Sequence, residues 1–424
     1  MKLRKHDVLV IGFALFSMFF GAGNVIFPPY LGMETGTSWL LGFASYFMAD
    51  IGLAVLTIWA LLHARGHELS APLGKVIGNL LMSLIVLCIG PLLAIPRTAA
   101  STYELSITPL LRGLNPVLFS VIFFAIVLFL CIRESAVVDI IGKLLTPLLL
   151  LGLLALILTG VIHPIAPIQA RPKTTNVLVS GITSGYQTMD VLAAVVFGGI
   201  ILKSAEAKGY QDRATRRKAV TAASLVAAFA LMLVYLGLTY LGATVSRLFE
   251  VDVNRSALVL SIVAALLGRR GLMIFAVVVA LACLTTAIAL TSSAAHFFSR
   301  LSGGTLSYPL ITVLICAFSA LVSNLGLDRI INISAPILGL IYPPTLVLML
   351  LSFVQERLPS PWITRLAALA AFLVSLLELL RDFGFTLPFL SQLPLAGLGF
   401  GWLAPALIAA LVTWGVILLQ PKNE

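Results

Sequence analysis

The chain has 424 residues, 60% of them hydrophobic and only 10% charged, with a formal net charge of +10. A water-soluble domain of this length would expose far more charge, so a soluble enzyme or binding module is excluded. Apolar runs of roughly 20 residues recur without the alternation of a β-barrel, so an all-α polytopic membrane protein is expected, its helices satisfying their own backbone groups in lipid.

Twelve transmembrane helices are expected in chain order: 8–31, 38–62, 75–111, 116–132, 137–162, 177–202, 219–243, 271–298, 305–323, 329–354, 362–381 and 400–419. Met1 to Asp7 leads directly into the first span. A cleaved signal peptide is the weaker alternative, because the apolar stretch is long and Pro28-Pro29 follows it. Span 1 carries Phe19-Phe20-Gly21-Ala22-Gly23-Asn24-Val25-Ile26-Phe27-Pro28-Pro29, and its two glycines, asparagine and paired prolines weaken a helix in mid-membrane. Span 3 is long, holds Pro91 and Pro96, and is expected to kink or tilt. Span 6 contains Ser180-Gly181-Ile182-Thr183-Ser184-Gly185-Tyr186-Gln187-Thr188-Met189-Asp190, again glycine-punctuated and polar at similar depth. Ser256 to Leu267 is apolar but too short to span, and is expected as a re-entrant or surface helix in an outer loop. Cys88, Cys131, Cys283 and Cys316 lie inside apolar runs and are expected as small buried hydrophobes rather than a disulfide or metal framework.

Orientation follows from lysine and arginine. With the N-terminus inside, the cytoplasmic segments hold Lys2, Arg4, Lys5, Arg65, Lys75, Arg133, the cluster Lys203, Lys208, Arg213, Arg216, Arg217 and Lys218, then Arg300, Arg357, Arg365 and Lys422. The opposite side holds fewer: Arg112, Arg171, Lys173, Arg247, Arg255, Arg269, Arg270, Arg329 and Arg381. Both termini are therefore expected in the cytoplasm, in a bacterial inner membrane. This rule also accounts for the positive charge without nucleic acid.

An internal repeat is suggested where spans 5 and 10 open. Asp139-Ile140-Ile141-Gly142-Lys143-Leu144-Leu145-Thr146-Pro147-Leu148-Leu149 and Asp328-Arg329-Ile330-Ile331-Asn332-Ile333-Ser334-Ala335-Pro336-Ile337-Leu338 share aspartate, paired isoleucine, proline and leucine at one spacing. Five helices per unit place the second copy upside down, so residues 1–162 and 177–354 are expected to form a 5+5 inverted repeat. The helices of 362–424 are then peripheral. The symmetry pairs span 1 with span 6 and predicts that both are discontinuous, exposing amides suited to a carboxylate and carbonyls suited to a cation. A small-residue packing face is the competing explanation for Gly21-Ala22-Gly23.

The motifs Phe20 to Pro29, Gly90-Pro91-Leu92-Leu93-Ala94-Ile95-Pro96-Arg97-Thr98 with Glu104, Gly185 to Asp190, Val322-Ser323-Asn324-Leu325-Gly326-Leu327 and Ile341-Tyr342-Pro343-Pro344 together resemble those of the branched-chain amino acid:cation symporters, the system II carriers. The resemblance runs from span 1 to span 10. It implies a LeuT-type fold and sodium-coupled uptake of leucine, isoleucine and valine, with sodium as coupling ion and no other cofactor.

In LeuT-type transporters a sodium ion bridges the helix 1 break and helix 8. The resemblance places its ligands at Ser17 and Phe20 and at Ala282, Thr285 and Thr286, the last three sharing one helical face. Hydroxyls bonded back onto their own helix are the structural alternative for the threonines. The substrate carboxylate is expected at the amides of Ala22, Gly23 and Asn24, and its ammonium at carbonyls around Ser184, Gly185, Tyr186 and Gln187. Phe19, Phe20, Tyr186 and Met189 are candidates for the aliphatic pocket. Arg97, Glu104 and Asp190 stand out as ionisable groups within spans. Arg97 and Glu104, seven apart, allow a mutual ion pair; Asp190 suits either the ligand ammonium or a cap on the second half-helix. A proton-coupled carrier of another amino acid is the runner-up. A membrane-embedded enzyme lacks a nucleophile, metal cluster or paired carboxylates, His163 and His296 being isolated, and a channel lacks a filter of carbonyls.

Overall fold

The computed structural model describes residues 3–64, 69–111, 113–132 and 137–419. The basic residues Lys2, Arg65, Arg112, Arg133 and Lys422 and the polar tail from residue 420 lie outside the described residues, as do the side chains of 137–146, Leu148 and Ala22. All regular structure among the described residues is helical.

Span 1 is two helices. α1 (Lys5–Phe19) ends where Phe20 leaves helical geometry, and α2 (Ala22–Thr35) begins after an extended Gly21. Pro28 and Pro29 lie within α2 and do not stop it. Span 2 is also composite: α3 (Trp39–Phe47) passes through a widened π-type turn, Met48–Gly52, into α4 (Leu53–His63). The expected kink in span 3 separates α5 (Lys75–Leu87) from α6 (Ala94–Thr102), with Gly90 and Pro91 inside the wide turn Cys88–Leu92. A second wide turn, Tyr103–Ile107, leads to the single turn α7 (Thr108–Leu110). α8 (Pro116–Ile132) and α9 (Val137–Ile162) follow.

Span 6 is broken between α10 (Val177–Thr188) and α11 (Asp190–Ala207). α12 (Arg213–Ala243) precedes α13 (Arg255–Leu301), which bends sharply at Gly268, where φ is +63°. The segment expected as a separate short helix is thus the arm of α13 before that bend. α14 (Tyr308–Ser323), α15 (Leu327–Ser352), α16 (Trp362–Asp382) and α17 (Leu403–Leu419) complete the chain. Asp139 and Asp328, the aspartates of the suspected repeat, both fall in the first turn of their helices, α9 and α15.

Seven helical stretches among the described residues are long and apolar enough to cross a membrane, and four shorter apolar helices accompany them. Their outward faces are hydrophobic, as with Val117, Val121 and Phe129 on α8 and Leu407, Ile408 and Leu411 on α17. Lipid, not water, suits such a surface.

Two hydrophobic cores form inside. One joins α1 and α2 to α9 and α12; the other joins α5, α6 and α8 to α14, α15 and α16. Met18, beside the break of span 1, packs against both. Close backbone approach locks the first core: a Cβ at Gly32 would stand 1.8 Å from Thr239 O, and one at Gly242 1.8 Å from Pro29 O. Only glycine permits that spacing. The breaks in spans 1 and 6 therefore sit at the seam between two packed bodies.

Candidate functional site

Asn24 joins the two broken helices. Its Nδ2 lies 3.0 Å from Phe19 O, 3.0 Å from Asp190 Oδ2, and in short contact with Tyr235 Oη. Its two hydrogens serve two of these acceptors at a time. One bond caps the last turn of α1, one reaches the start of α11, and one reaches α12. The Asn24 amide donates to Gly21 O, so it is not free for a ligand. Ala22 and Gly23 fall in the first turn of α2, where amides have no partner within the helix.

The break in span 1 is thus at Phe20-Gly21, overlapping the first residue of the expected stretch Gly21 to Asn24. Gly23 and Asn24 are already helical. Gly23 is nevertheless tightly packed: a Cβ there would stand 3.0 Å from Arg97 Nη2 and 3.0 Å from the Phe27 ring, which would have to give way.

In span 6 the break is at Met189, whose left-handed backbone (φ +66°) separates α10 from α11. Ser184, Gly185, Tyr186 and Gln187 therefore lie in the closing turns of α10, not in an unwound loop. The glycines pack instead: a Cβ on Gly181 would lie 2.5 Å from Gly42 O, and one on Gly185 2.9 Å from Ala49 Cβ. The small-residue explanation belongs to span 6, and the break belongs to a residue that gave no glycine signal.

Arg97, 4% exposed, donates from Nη1 to Gln187 O at 2.6 Å and from Nη2 to Thr188 O at 3.3 Å. The guanidinium thereby covers the carbonyl end of α10, where the helix dipole is negative. It occupies the Gln187 carbonyl, one of those expected to meet a substrate ammonium. The suggested Arg97–Glu104 pair does not form: Glu104, in the second wide turn, accepts from Leu327 N at 2.9 Å and so caps α15. Each charge finds a helix end instead of the other charge. Asp190 is not a side-chain cap on α11; it accepts from Asn24 across the two breaks.

Asp50 is the residue that sequence reasoning missed. It lies in the wide turn of span 2, fully buried, and accepts from Thr188 Oγ1 at 2.8 Å. Its carboxyl group is in side-chain contact with that of Asp190. The signal was present, since a carboxylate within the apolar stretch 38–62 is costly in lipid.

A small cavity of about 40 Å³ lies at this junction, lined by Phe19, Gly21, Asn24, Arg97, Met189, Asp190 and Thr286 among others. It has room for about one water. The structure thus gathers Phe19, Asn24, Met189, Asp190 and Thr286 around one space, whereas Phe20, Ser184, Gly185, Tyr186 and Gln187 do not line it. Phe20 stacks on Phe16 and Tyr235, and Tyr186 stacks on Tyr342 with ring centres 4.3 Å apart. The hydroxyls of Thr285 and Thr286 both donate to Ala282 O, at 2.9 and 3.0 Å. Their oxygens keep lone pairs for a further partner. The Thr286 methyl stands 3.8 Å from where a Gly21 Cβ would be, so α13 abuts the break of span 1. A second, wide cavity of about 960 Å³ adjoins at Met18 and Phe197 and extends past Ser292 and His296 to Lys203 and Arg300.

A family model described as "Branched-chain amino acid transport protein" matches residues 4–419. The chain belongs to this family. The Branched-chain amino acid permease BrnQ of Salmonella typhimurium is 36% identical over 97% of this chain and 95% of its own length. The Branched-chain amino acid transport system 3 carrier protein of Pseudomonas aeruginosa is 37% identical, covering 95% of this chain and 94% of its own. BraB, a Branched-chain amino acid permease of Bacillus subtilis, is 34% identical over 100% of this chain and 98% of its own. Among solved structures, Mhp1, a nucleobase-cation-symport-1 family transporter, aligns with TM-score 0.67 at 14% identity over 98% of this chain and 94% of its own. MhsT in complex with L-phenylalanine aligns with TM-score 0.58 at 17% identity, over 96% and 98% respectively. At such identities the likeness concerns the fold, which is LeuT-type. The family members are transporters, not enzymes.

Proposed function

We propose that the chain imports leucine, isoleucine and valine together with sodium, by alternating access. The observation that carries this reading is the junction of two broken helices, where groups of both charges face one cavity in a member of this family. The substrate carboxylate meets the Ala22 and Gly23 amides at the positive end of α2. Its ammonium meets Asp190, because Arg97 already holds the Gln187 and Thr188 carbonyls. Sodium sits between the Ser17 and Phe20 carbonyls and the Ala282, Thr285 and Thr286 oxygens, a set of hard oxygen donors of the kind alkali cations need. An apolar pocket discriminates a methylene by only about 1–3 kcal/mol, so the three aliphatic substrates compete.

Twelve crossings in a 5+5 inverted repeat with two peripheral helices follow from this reading, as do cytoplasmic termini in a bacterial inner membrane. The wide cavity, ending at Lys203 and Arg300, then opens to the cytoplasm and the molecule is inward-facing. Uptake of labelled leucine into proteoliposomes is the test. Flux driven by an inward sodium gradient supports the reading; flux driven by a pH gradient alone replaces sodium with a proton; no flux of any branched-chain amino acid refutes it.

A further inference from the structure

We propose that the carboxyl groups of Asp50 and Asp190 share a single proton, held beside the amino-acid cavity and exchanged during transport. The two side chains meet in a fully buried region, and two ionised carboxylates in contact repel strongly where little water screens them. One proton between them turns repulsion into a hydrogen bond.

Each carboxyl group also has donors of its own. On Asp190, Asn24 donates to Oδ2 and the Arg97 guanidinium lies nearby. Asp50 has Thr188 donating to Oδ1, and the Tyr46 hydroxyl also reaches its carboxyl group. Ionised carboxyl groups only accept, so a hydrogen bond between the two requires a proton on one of them.

The remaining groups around the pair agree. Tyr46, one turn before Asp50 and wholly buried, turns its hydroxyl to the Asp50 carboxyl group, and the Gln187 Oε1 nearby is unpartnered. Tyr235 on α12 and Tyr342 on α15 stand within electrostatic reach of both carboxyl groups. Arg97 on α6 is the cation that acts on Asp190. With one proton on the pair, Arg97 balances the remaining carboxylate. With both carboxyl groups ionised one negative charge is uncompensated, and the like charges push apart the turn of span 2 and the start of α11.

The experiment uses the whole protein in lipid. Infrared difference spectra across a pH titration read the carbonyl stretch of a protonated carboxyl group, with isotope-labelled aspartate assigning it. The expected result is one titrating aspartic-acid band, lost in both Asp50→Asn and Asp190→Asn. Leucine binding should weaken with rising pH by up to about tenfold per pH unit in the natural chain and lose that slope in Asp50→Asn. No protonated aspartate band in the natural chain overturns the proposal, as does a band and pH slope unchanged in Asp50→Asn. The labelled natural chain needs no variant to fold. If leucine does not bind at all, the transport reading falls while the infrared measurement still decides the proton.

Discussion

Gly23 shows how one missing methyl group organises the site. Arg97 approaches so closely that even alanine would meet its guanidinium and the Phe27 ring. Overpacking of this kind costs about 1–3 kcal/mol, so Gly23→Ala should weaken leucine binding roughly tenfold, measured by radioligand binding at saturating sodium. Gly21, with no neighbour nearer than 3.8 Å to a Cβ, should tolerate alanine far better. Thr286 is the second residue to test. Its hydroxyl is bonded within α13 yet its side chain abuts the span 1 break, so Thr286→Ala should raise the sodium concentration needed for half-maximal uptake more than it alters leucine affinity at high sodium. An unchanged sodium dependence would remove the residue from the ion site.

Between elements, the same residue type serves opposite purposes. In α10, Gly181 and Gly185 bring the helix against α3 and the wide turn of span 2, while the break falls on Met189. A left-handed methionine costs about 1–2 kcal/mol, and surrounding contacts hold it there. Its side chain is 2% exposed, and Asn24 and Arg97 anchor the helix ends on either side. Gly181→Ala should lower the thermal stability of the detergent-solubilised protein by several degrees, because backbone of α3 stands in the way. Gly339→Ala, on α15 with nothing within 4 Å, should leave stability unchanged or raise it slightly. If Gly181→Ala is as stable as the natural chain, the α10–α3 contact is looser than described.

For the molecule as a whole, the breaks lie where two packed cores meet, and the wide cavity leads away from them on one side. On the proposed topology, Ser293→Cys in a background lacking the four native cysteines should react with an impermeant thiol reagent from the cytoplasmic side. Sodium with leucine should change that rate if the two cores rock against each other. Reaction only from the opposite side would invert the topology.

Composition and periodicity alone determined that the chain is a bundle of apolar helices, where span 1 weakens, and that span 3 kinks near Pro91. Glycine and proline act through the local backbone, so their effects are written locally. The resemblance of dispersed motifs also reached the family. What the tertiary structure decided were the contacts between helices distant in sequence: Asn24 to Asp190, Arg97 to the end of α10 instead of Glu104, and Asp50 to Thr188. Spacing along one helix can suggest a partner, but a buried charge settles on whichever unsatisfied helix end or polar group packing brings near, and in lipid it cannot go without one. For the same reason the break of span 6 could not be read from glycines. Those answered the close approach of another helix, and a left-handed Met189 is affordable only where tertiary contacts hold it.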